Sequence, residues 1–352
     1  MRLKTTAILA QAAFAVGAFA LSVSVTLGVA RAQDKTQDKA YVMKMTMPTL
    51  NDTIHQVAKN YGAALEKDSG GRIKAEIYPA SQLGSIARQI EGVQFGSIQC
   101  ALIPPEFFVG VDERFEVMAA PGLVDNMEHA QRVAADPAVL KLMLGLGANK
   151  GLHGVGLFMA TPSSVISRTA IRHVADFKGK KIRIFASQFQ SVALERLGAT
   201  PVAMTLGDVL PAIQQGAIDG AVAALNVYVP MHYRDAANYV TETNQPAIFV
   251  VMEISQKWYD SLPKDLQQIV EQDAAAESVK INPWGSDFRD KMRKDWVAQG
   301  GELISLPTTE QAEMMHMLAS VGDDVSKSKP ALHEAYEIVT DAAKRTRQAP
   351  SQ

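Results

Sequence analysis

The sequence predicts an α/β protein made of two similar lobes, and three observations support this. Residues 41–77 have the periodicity of a strand, a helix and a second strand, which is the unit from which parallel sheets are built. Residues 178–215 repeat that alternation. The two regions also share an echo, because VQFGSIQCA at residues 93–101 aligns without a gap on IQQGAIDGA at residues 213–221. In both copies a helix is predicted to end at the glycine, before a short apolar strand.

Composition excludes several classes of protein. The 352 residues are 47% hydrophobic and 20% charged, and 35 Lys and Arg against 37 Asp and Glu leave a net charge of −2. A chain this apolar can bury enough surface to fold, and its charge balance lacks the basic excess typical of nucleic-acid binding. The one cysteine, Cys100, cannot form a disulfide within the chain, and its apolar surroundings predict a small buried side chain.

The first 32 residues are predicted to be a signal peptide. Residues 1–4 are basic, residues 7–30 are almost uninterrupted apolar, and ARA at residues 30–32 has the small-x-small pattern that signal peptidase cleaves. The mature chain is therefore expected to begin near Gln33, to lie in the periplasm and to have no direct membrane insertion. The alternative is that the apolar run, which is long for a signal peptide, is retained as an anchor.

In the first lobe, the strand at residues 41–47 precedes a helix that Asn51 or Asp52 can cap and that ends at Gly70. Apolar residues recur at helical spacing along that helix. The strand at residues 73–77 then alternates with period two.

In the second lobe, residues 178–185 are predicted to form a strand after a basic turn. Ser187 can cap the next helix, and Gly198 ends it. Thr205 and Asp208 have the spacing of a capping box for the helix that follows.

The rest of the chain is predicted to be mainly helical. The predicted helices are residues 263–279, 283–298, 308–318 and 331–344. Thr308 and Gln311 have capping-box spacing for the third of them. A turn and a short strand at residues 300–305 interrupt the series.

Motifs of common enzyme classes are absent from the sequence. It has no G-x-S-x-G, no Walker loop and no H-E-x-x-H, and no two of its seven histidines lie three or four residues apart. The glycine-rich residues 145–151 lack dinucleotide-binding spacing and are interpreted as a helix end and loop. No cofactor and no metal site are therefore predicted.

Arg183 is the strongest candidate binding residue. It lies at the carboxyl end of a predicted strand, where ligands of open α/β sheets bind, and its planar guanidinium matches a carboxylate. The nearby helix N-terminus is expected to attract an anion as well. The alternative is an ordinary solvated basic turn, because Lys178, Lys180 and Lys181 stand beside it.

Several stretches, in order along the chain, resemble one known family. They are YPASQLG at residues 78–84, IEGVQFG at 90–96, KGKKIR at 178–183, GATP at 198–201 with Met204, GAIDG at 216–220, WYDSLP at 258–263 and DLQ at 265–267. On these residues the chain resembles the periplasmic solute-binding subunit of TRAP (tripartite ATP-independent periplasmic) transporters, the DctP-type family.

The resemblance implies a periplasmic-binding-protein fold with two lobes that close on a ligand. Each lobe would be a mixed sheet flanked by helices, and one long helix would span both. Lobe I would comprise residues 41–160 and about 248–288, and lobe II residues 161–247 and about 289–345. The resemblance also implies that Arg183 holds the carboxylate of an organic acid, which the protein delivers to the membrane permease subunits of the transporter.

The sequence departs from the family where ligand choice is set. Residues 221–224 are AVAA where the family often has Q-E-N-P, and Leu206 replaces a frequent aromatic residue. A second arginine of some members would fall near Pro162 or Ser163. These departures leave Arg183 as the one predicted carboxylate-binding cation.

Apolar residues are expected around that arginine. Leu206, Ala223 and either Pro104 or Pro105 would supply the surface, which predicts a monocarboxylate with an apolar or aromatic body. By loop position, the candidate polar contacts are Asn51, Ser85 and Asn226. Each of these three is also typical of an ordinary cap or turn residue.

Two other functions remain open on the sequence alone. An exported receptor could present the same ligand to a signalling partner. An enzyme could use the same two-lobed scaffold, because fold does not fix function.

Overall fold

Two β-sheets and their flanking helices form the structure, a computed structural model that describes residues 40–243 and 245–347. The strands are β1 (Tyr41–Thr46), β2 (Ile73–Tyr78), β3 (Cys100–Ile103), β4 (Leu152–Pro162), β5 (Ser164–Ser167), β6 (Lys181–Ile184), β7 (Thr200–Ala203), β8 (Gly220–Ala223), β9 (Tyr239–Glu242), β10 (Ala247–Ser255) and β11 (Glu302–Ser305). The helices are α1 (Thr53–Asp68), α2 (Ile86–Phe95), α3 (Met127–Ala134), α4 (Pro137–Gly145), α5 (Gln188–Arg196), α6 (Leu206–Gln214), α7 (Leu225–Tyr228), α8 (Gln256–Asp260), α9 (Lys264–Ala298), α10 (Thr308–Leu318), α11 (Val321–Ser326) and α12 (Pro330–Thr346). The predicted signal peptide lies outside the described residues. Within them, no helix combines the length and the apolar character needed to cross a membrane.

The two sheets share one topology. The first has the strand order β2-β1-β3-β10-β4 and the second β7-β6-β8-β5-β9-β11. In the first, β1 is parallel to β2 and β3, and β10 is antiparallel to β3 and β4. In the second, β6 is parallel to β7 and β8, and β5 is antiparallel to β8 and β9. Except for the added edge strand β11, order and direction coincide, which confirms the predicted α/β fold with two mixed sheets.

The sequence echo marks equivalent parts of the two sheets. Helix α2 precedes β3 as α6 precedes β8, and the aligned Gly96 and Gly216 have φ of 85° and 72°. Glycine adopts this left-handed conformation without steric cost, which explains why it stands at both positions. The echo is therefore a structural repeat.

Through α9 the chain passes from the first sheet to the second, and it also crosses between the sheets at two neighbouring places. One is Ser163, between β4 and β5, and the other is the segment between β9 and β10. The backbone N–H of Ser163 donates to the Pro246 carbonyl at 3.2 Å, so the two crossings lie side by side. Paired crossings of this kind are a suitable place for a hinge.

Helix α9 corrects one prediction. The sequence predicts separate helices at residues 263–279 and 283–298, but the structure has one helix of 35 residues that continues through Pro283. At 1.5 Å per residue it is about 52 Å long. It packs against α1 and β4 on the side of the first sheet, and against α7 and β11 on the side of the second. The long helix across both lobes is thus present.

The C-terminal helices correct a second prediction. Helix α10 has the expected bounds, but its N-cap is Pro307, and Gln311 Nε2 donates to the Thr243 carbonyl at 3.0 Å. The predicted capping box of Thr308 with Gln311 is therefore wrong. Helix α12 packs against α3 and α4. The division into lobe I (residues 41–160 and about 248–288) and lobe II (residues 161–247 and about 289–345) stays a prediction.

The predicted caps of α1 and α5 are confirmed, whereas the predicted capping box of α6 is not. Asp52 caps α1 by accepting from the His55 N–H at 3.0 Å, and Ser187 caps α5. Thr205 stands at the N-cap of α6, but its hydroxyl donates to the Asp208 carboxylate at 2.8 Å and caps no backbone N–H. Cys100 is buried, and burial raises the pKa of its thiol.

Candidate functional site

Arg183 lies on β6, is buried, and does not belong to a solvated turn. Its side chain is 1% exposed, whereas Lys178 and Lys181 are exposed. Its strand neighbours Ile182 and Ile184 face the opposite side of the sheet, where they join an apolar cluster. Because successive side chains of a strand point to opposite faces, Arg183 points to the other face of β6.

Two backbone carbonyls hold the guanidinium in place. Arg183 Nε donates to the Met204 carbonyl at 2.8 Å, and Nη1 donates to the Val222 carbonyl at 3.0 Å. Burial lowers its pKa to about 10, so the group stays charged at neutral pH. These bonds use Nε and Nη1, and they leave the Nη2 edge of the fork as the side available to a carboxylate.

Two aromatic rings cover the guanidinium. Its central carbon Cζ lies 4.7 Å from the ring centroid of Phe185 and 6.0 Å from that of Phe107. The two rings stack on each other with centroids 5.3 Å apart. Phe185 follows β6 in the second sheet, and Phe107 lies in the short 3-10 turn Pro105–Phe108 that follows β3 in the first. Both halves of the molecule therefore contribute to the surroundings of Arg183.

Glu106 stands next to Phe107 in the same turn. It is 1% exposed, and its Oε2 has no hydrogen-bond partner among the described residues. Burial raises the pKa of its carboxyl group to about 8; the charge of Glu116 raises it too, and that of Arg183 lowers it. Glu106 is therefore mostly neutral at pH 7.

Glu116 occupies the N-terminus of α5. This buried carboxylate accepts from the Gln188 N–H at 2.6 Å and from the Ser187 hydroxyl at 3.2 Å. Burial raises the pKa of Glu116, and these hydrogen bonds oppose that effect. The sequence assigns this helix N-terminus to the ligand anion, but a carboxylate of the protein itself fills it. That expectation is corrected here.

Leu206 and Ala223 lie beside the carbonyls that fix the arginine. Leu206 is the first residue of α6, two residues after Met204, and Ala223 directly follows Val222. Both side chains are buried in the same apolar cluster. Pro104 and Pro105 are also buried, at the start of the turn that carries Glu106.

Asn226 connects the two halves of the molecule. Its Nδ2 donates to Thr53 Oγ1 at 3.1 Å, and Thr53 is the first residue of α1. Its Oδ1 is buried with no hydrogen-bond partner among residues 40–243 and 245–347. An amide oxygen in that state can accept a hydrogen bond from a ligand.

Asn51 and Ser85 have different environments from Asn226. Asn51 is exposed, has φ of 54°, and donates its backbone N–H to His55 Nδ1 at 3.0 Å. Ser85 is exposed at the N-cap of α2, and its side chain makes no capping hydrogen bond. The structure thus gives both residues turn or cap positions, and their contact with a ligand stays a prediction.

Sequence reasoning missed Phe107, Glu106 and Glu116. All three lie in two short 3-10 helices between β3 and β4, Pro105–Phe108 and Glu113–Ala119, which are too short for a periodicity to identify them. One signal was available. The echo makes β3 equivalent to β8, so residues after β3 were as strong candidates as those after β8.

The chain matches a known protein family. Residues 45–328 match the DctP family, described as bacterial extracellular solute-binding protein, family 7. The chain is 26% identical to the uncharacterized protein YiiZ of Salmonella typhimurium over 83% of this chain and 88% of the relative. It is 25% identical to the C4-dicarboxylate-binding periplasmic protein DctP of Rhodobacter capsulatus, over 82% of this chain and 91% of that protein.

Solved structures show the same fold. The sugar acid binding protein DctPAm from Advenella mimigardefordensis, in complex with galactonate, superposes with a TM-score of 0.81 at 22% identity, covering 88% of this chain and 99% of that one. A TRAP periplasmic solute binding protein from Desulfovibrio salexigens, with bound orotic acid, gives 0.80 at 20% identity, covering 87% and 100%. Because the family match extends over most of the chain, this protein belongs to the DctP family of bacterial extracellular solute-binding proteins.

Proposed function

We propose that the protein is the solute-binding subunit of a TRAP transporter that captures a monocarboxylate with an apolar or aromatic body. Arg183 binds the carboxylate, and Phe107, Phe185, Leu206 and Ala223 contact the body. The observation that carries this proposal is the buried guanidinium, which two carbonyls fix while one edge of its fork stays available. A buried charge that is oriented in this way is suited to bind an anion.

The surroundings disfavour a second acidic group on the ligand. Pro162 and Ser163 stand where other members have a second arginine, and neither side chain carries a charge. The second charge of a dicarboxylate would therefore lack a cation to bind it. One carboxylate is therefore the better match.

Access to Arg183 requires the lobes to separate. The arginine is almost fully buried, and the stack of Phe107 on Phe185 covers it from the other sheet. We propose that the lobes open at the paired crossings near Ser163 and Pro246, and that a ligand favours the closed state by contacting both halves. The closed complex then delivers its ligand to the membrane permease subunits.

A thermal-shift screen tests this proposal. The chain from Gln33 onward is mixed with mono-, di- and aromatic carboxylates, in parallel with Arg183→Met and the matched control Lys181→Met, which removes an exposed charge from the same strand. A ligand at about 100 times its Kd stabilises the folded state by about 2.7 kcal/mol. We expect monocarboxylates to stabilise the wild type and Lys181→Met but not Arg183→Met.

Three results would contradict the proposal. Stronger stabilisation by dicarboxylates contradicts the ligand class. An equal response of Arg183→Met contradicts the role of the arginine, and turnover of a bound acid contradicts a function in binding alone.

A further inference from the structure

Glu106 is a buried polar group that the proposed function leaves without a role. Its Oε2 has no hydrogen-bond partner among the described residues, although the side chain is 1% exposed. Buried polar atoms in folded proteins nearly always have a partner, because an unpaired one has lost its hydration without replacement. A partner that belongs to the ligand would explain this carboxyl group.

The position of Glu106 relative to Arg183 indicates which part of the ligand it meets. Phe107, the next residue, covers the guanidinium together with Phe185. Glu106 and Arg183 are near enough for the charge of each to shift the other's pKa. In the part of the chain that the structure describes, however, no hydrogen bond and no ion pair within 4.0 Å joins them. Glu106 belongs to the segment after β3 and Arg183 to β6, so a group bound to Arg183 lies between side chains of both sheets.

We propose that Glu106 hydrogen-bonds to an oxygen on the carbon next to the ligand's carboxylate, so that the protein selects 2-hydroxy and 2-oxo acids. This inference rests on the proposed function, in which Arg183 binds the carboxylate itself. After the carboxylate itself, an oxygen on the neighbouring carbon is the ligand atom closest to a side chain that lies near Arg183 but beyond hydrogen-bond distance of it.

The chemistry of a neutral carboxyl group supports this assignment. A protonated Glu106 donates through its O–H to an oxo group, and it also accepts from a hydroxyl group. Burial keeps it protonated at pH 7. An ammonium group in the same place would lie against the guanidinium, where the repulsion of like charges disfavours it.

Matched pairs of acids test the proposal by isothermal titration. The pairs are propanoate with lactate, 4-methylpentanoate with 2-hydroxy-4-methylpentanoate, and phenylacetate with mandelate and its 2-oxo analogue benzoylformate. The members of each set share one body size and differ in the oxygen next to the carboxylate. The wild type is compared with Glu106→Gln, Glu106→Leu, Glu106→Ala and the control Glu113→Gln, which changes an exposed glutamate seven residues away.

We expect the wild type to bind the oxygen-bearing member of the best-fitting set about tenfold more tightly, which is the effect of one well-placed hydrogen bond. Glu106→Gln keeps a donor and an acceptor and should keep most of that preference. Glu106→Leu and Glu106→Ala should lose it without weakening the binding of the unsubstituted acid. Glu113→Gln should behave as the wild type.

A wild-type affinity ratio near one overturns the inference, whether or not any variant folds. Equal weakening of both members of a pair in Glu106→Leu and Glu106→Ala overturns it too, because the residue would then act only in folding or packing. If those two variants still bind the oxygen-bearing acid more tightly than the unsubstituted one, the inference is overturned as well. If monocarboxylates bind but the pairs are not distinguished, this inference alone fails. If no carboxylate binds, the proposed function fails with it.

Discussion

The two sheets place different residues at the same structural position. In the first sheet Thr46 pairs with Ala101, and in the second Arg183 pairs with Ala221, which the sequence echo aligns with Ala101. Both side chains bond to a carbonyl at the end of the neighbouring strand: Thr46 donates to Tyr78 at 3.5 Å, and Arg183 to the carbonyl that follows β7. The scaffold is repeated, but the buried arginine is present in one copy.

The same row of paired residues contains a second difference. Glu253 on β10 pairs with Ala101, and its counterpart Ile166 on β5 pairs with Ala221. Glu253 is fully buried, and both its carboxylate oxygens are without a hydrogen-bond partner among the described residues. Each sheet thus buries one ionisable side chain in this row, but at different strands and of opposite charge type.

Replacing Arg183 by the residue at the equivalent position of the first sheet gives the largest expected effect. Arg183→Thr gives the second sheet the residue of the first, and it should weaken carboxylate binding at least about 100-fold, because two charge-assisted hydrogen bonds are lost. Thr46→Val should leave the affinity unchanged. Isothermal titration with the best monocarboxylate of the screen measures both. An equal loss in the two variants would show that the position matters only for packing.

Replacing Glu253 by the residue at the equivalent position of the second sheet tests its effect on the stability of the folded protein. Glu253→Ile gives the first sheet the residue of the second and removes two unsatisfied oxygens, so it should raise the free energy of unfolding by about 1–3 kcal/mol. Glu253→Gln serves as the control, because it removes the ionisation but keeps polar atoms in the core. Urea unfolding of the three proteins measures the gain.

The gain should depend on pH. Burial raises the pKa of Glu253 well above 4.5, the value expected in the unfolded chain. Above that pH the unfolded chain releases a proton that the folded protein keeps, so the carboxyl group reduces stability as the pH rises. Both variants should therefore gain more at pH 8 than at pH 5. A gain that is the same at both values would mean that Glu253 ionises alike in the folded and unfolded states.

Repetition also explains which features the sequence could predict. The echo and the alternating periodicities predict two equivalent α/β units, and the Ile182 and Ile184 alternation predicts a separate orientation for Arg183. The break predicted near Pro283 is wrong because packing against α1, β4 and α7 compensates for the hydrogen bond that proline cannot make.

The site itself depends on contacts that the sequence does not encode locally. Phe107 meets Phe185, and Glu116 meets Gln188, across more than 70 positions of chain. Phe107 and Glu116 lie in short 3-10 helices after β3, and only the folded arrangement of the two sheets brings them to their partners. Arg183 can be identified from the sequence because it lies within the alternation of its own strand. Its neighbours from the other sheet cannot be identified in this way.

The equivalent helices α1 and α5 provide the last comparison. Asp52 caps α1 and Ser187 caps α5, but α5 also donates from the Gln188 N–H to the carboxylate of Glu116, which belongs to the chain segment after β3. Glu116→Gln keeps an acceptor but loses the charge, which should weaken these hydrogen bonds by about 1 kcal/mol. If the contact forms only when the lobes close, the variant should bind its ligand about fivefold more weakly.

A matched control separates closure from stability. Glu113→Gln changes an exposed glutamate three residues earlier and removes its surface ion pair with Lys329 at 3.1 Å, so it should leave the affinity unchanged and alter the Tm only slightly. Titration and thermal unfolding of both variants give the two quantities. If Glu116→Gln lowers the Tm but leaves the affinity unchanged, the contact persists in the open state and cannot drive closure. If the affinity falls by the expected factor, part of the free energy of lobe closure comes from the contact between the Glu116 carboxylate and the N-terminus of α5, a contact that is added to the helix's own cap Ser187.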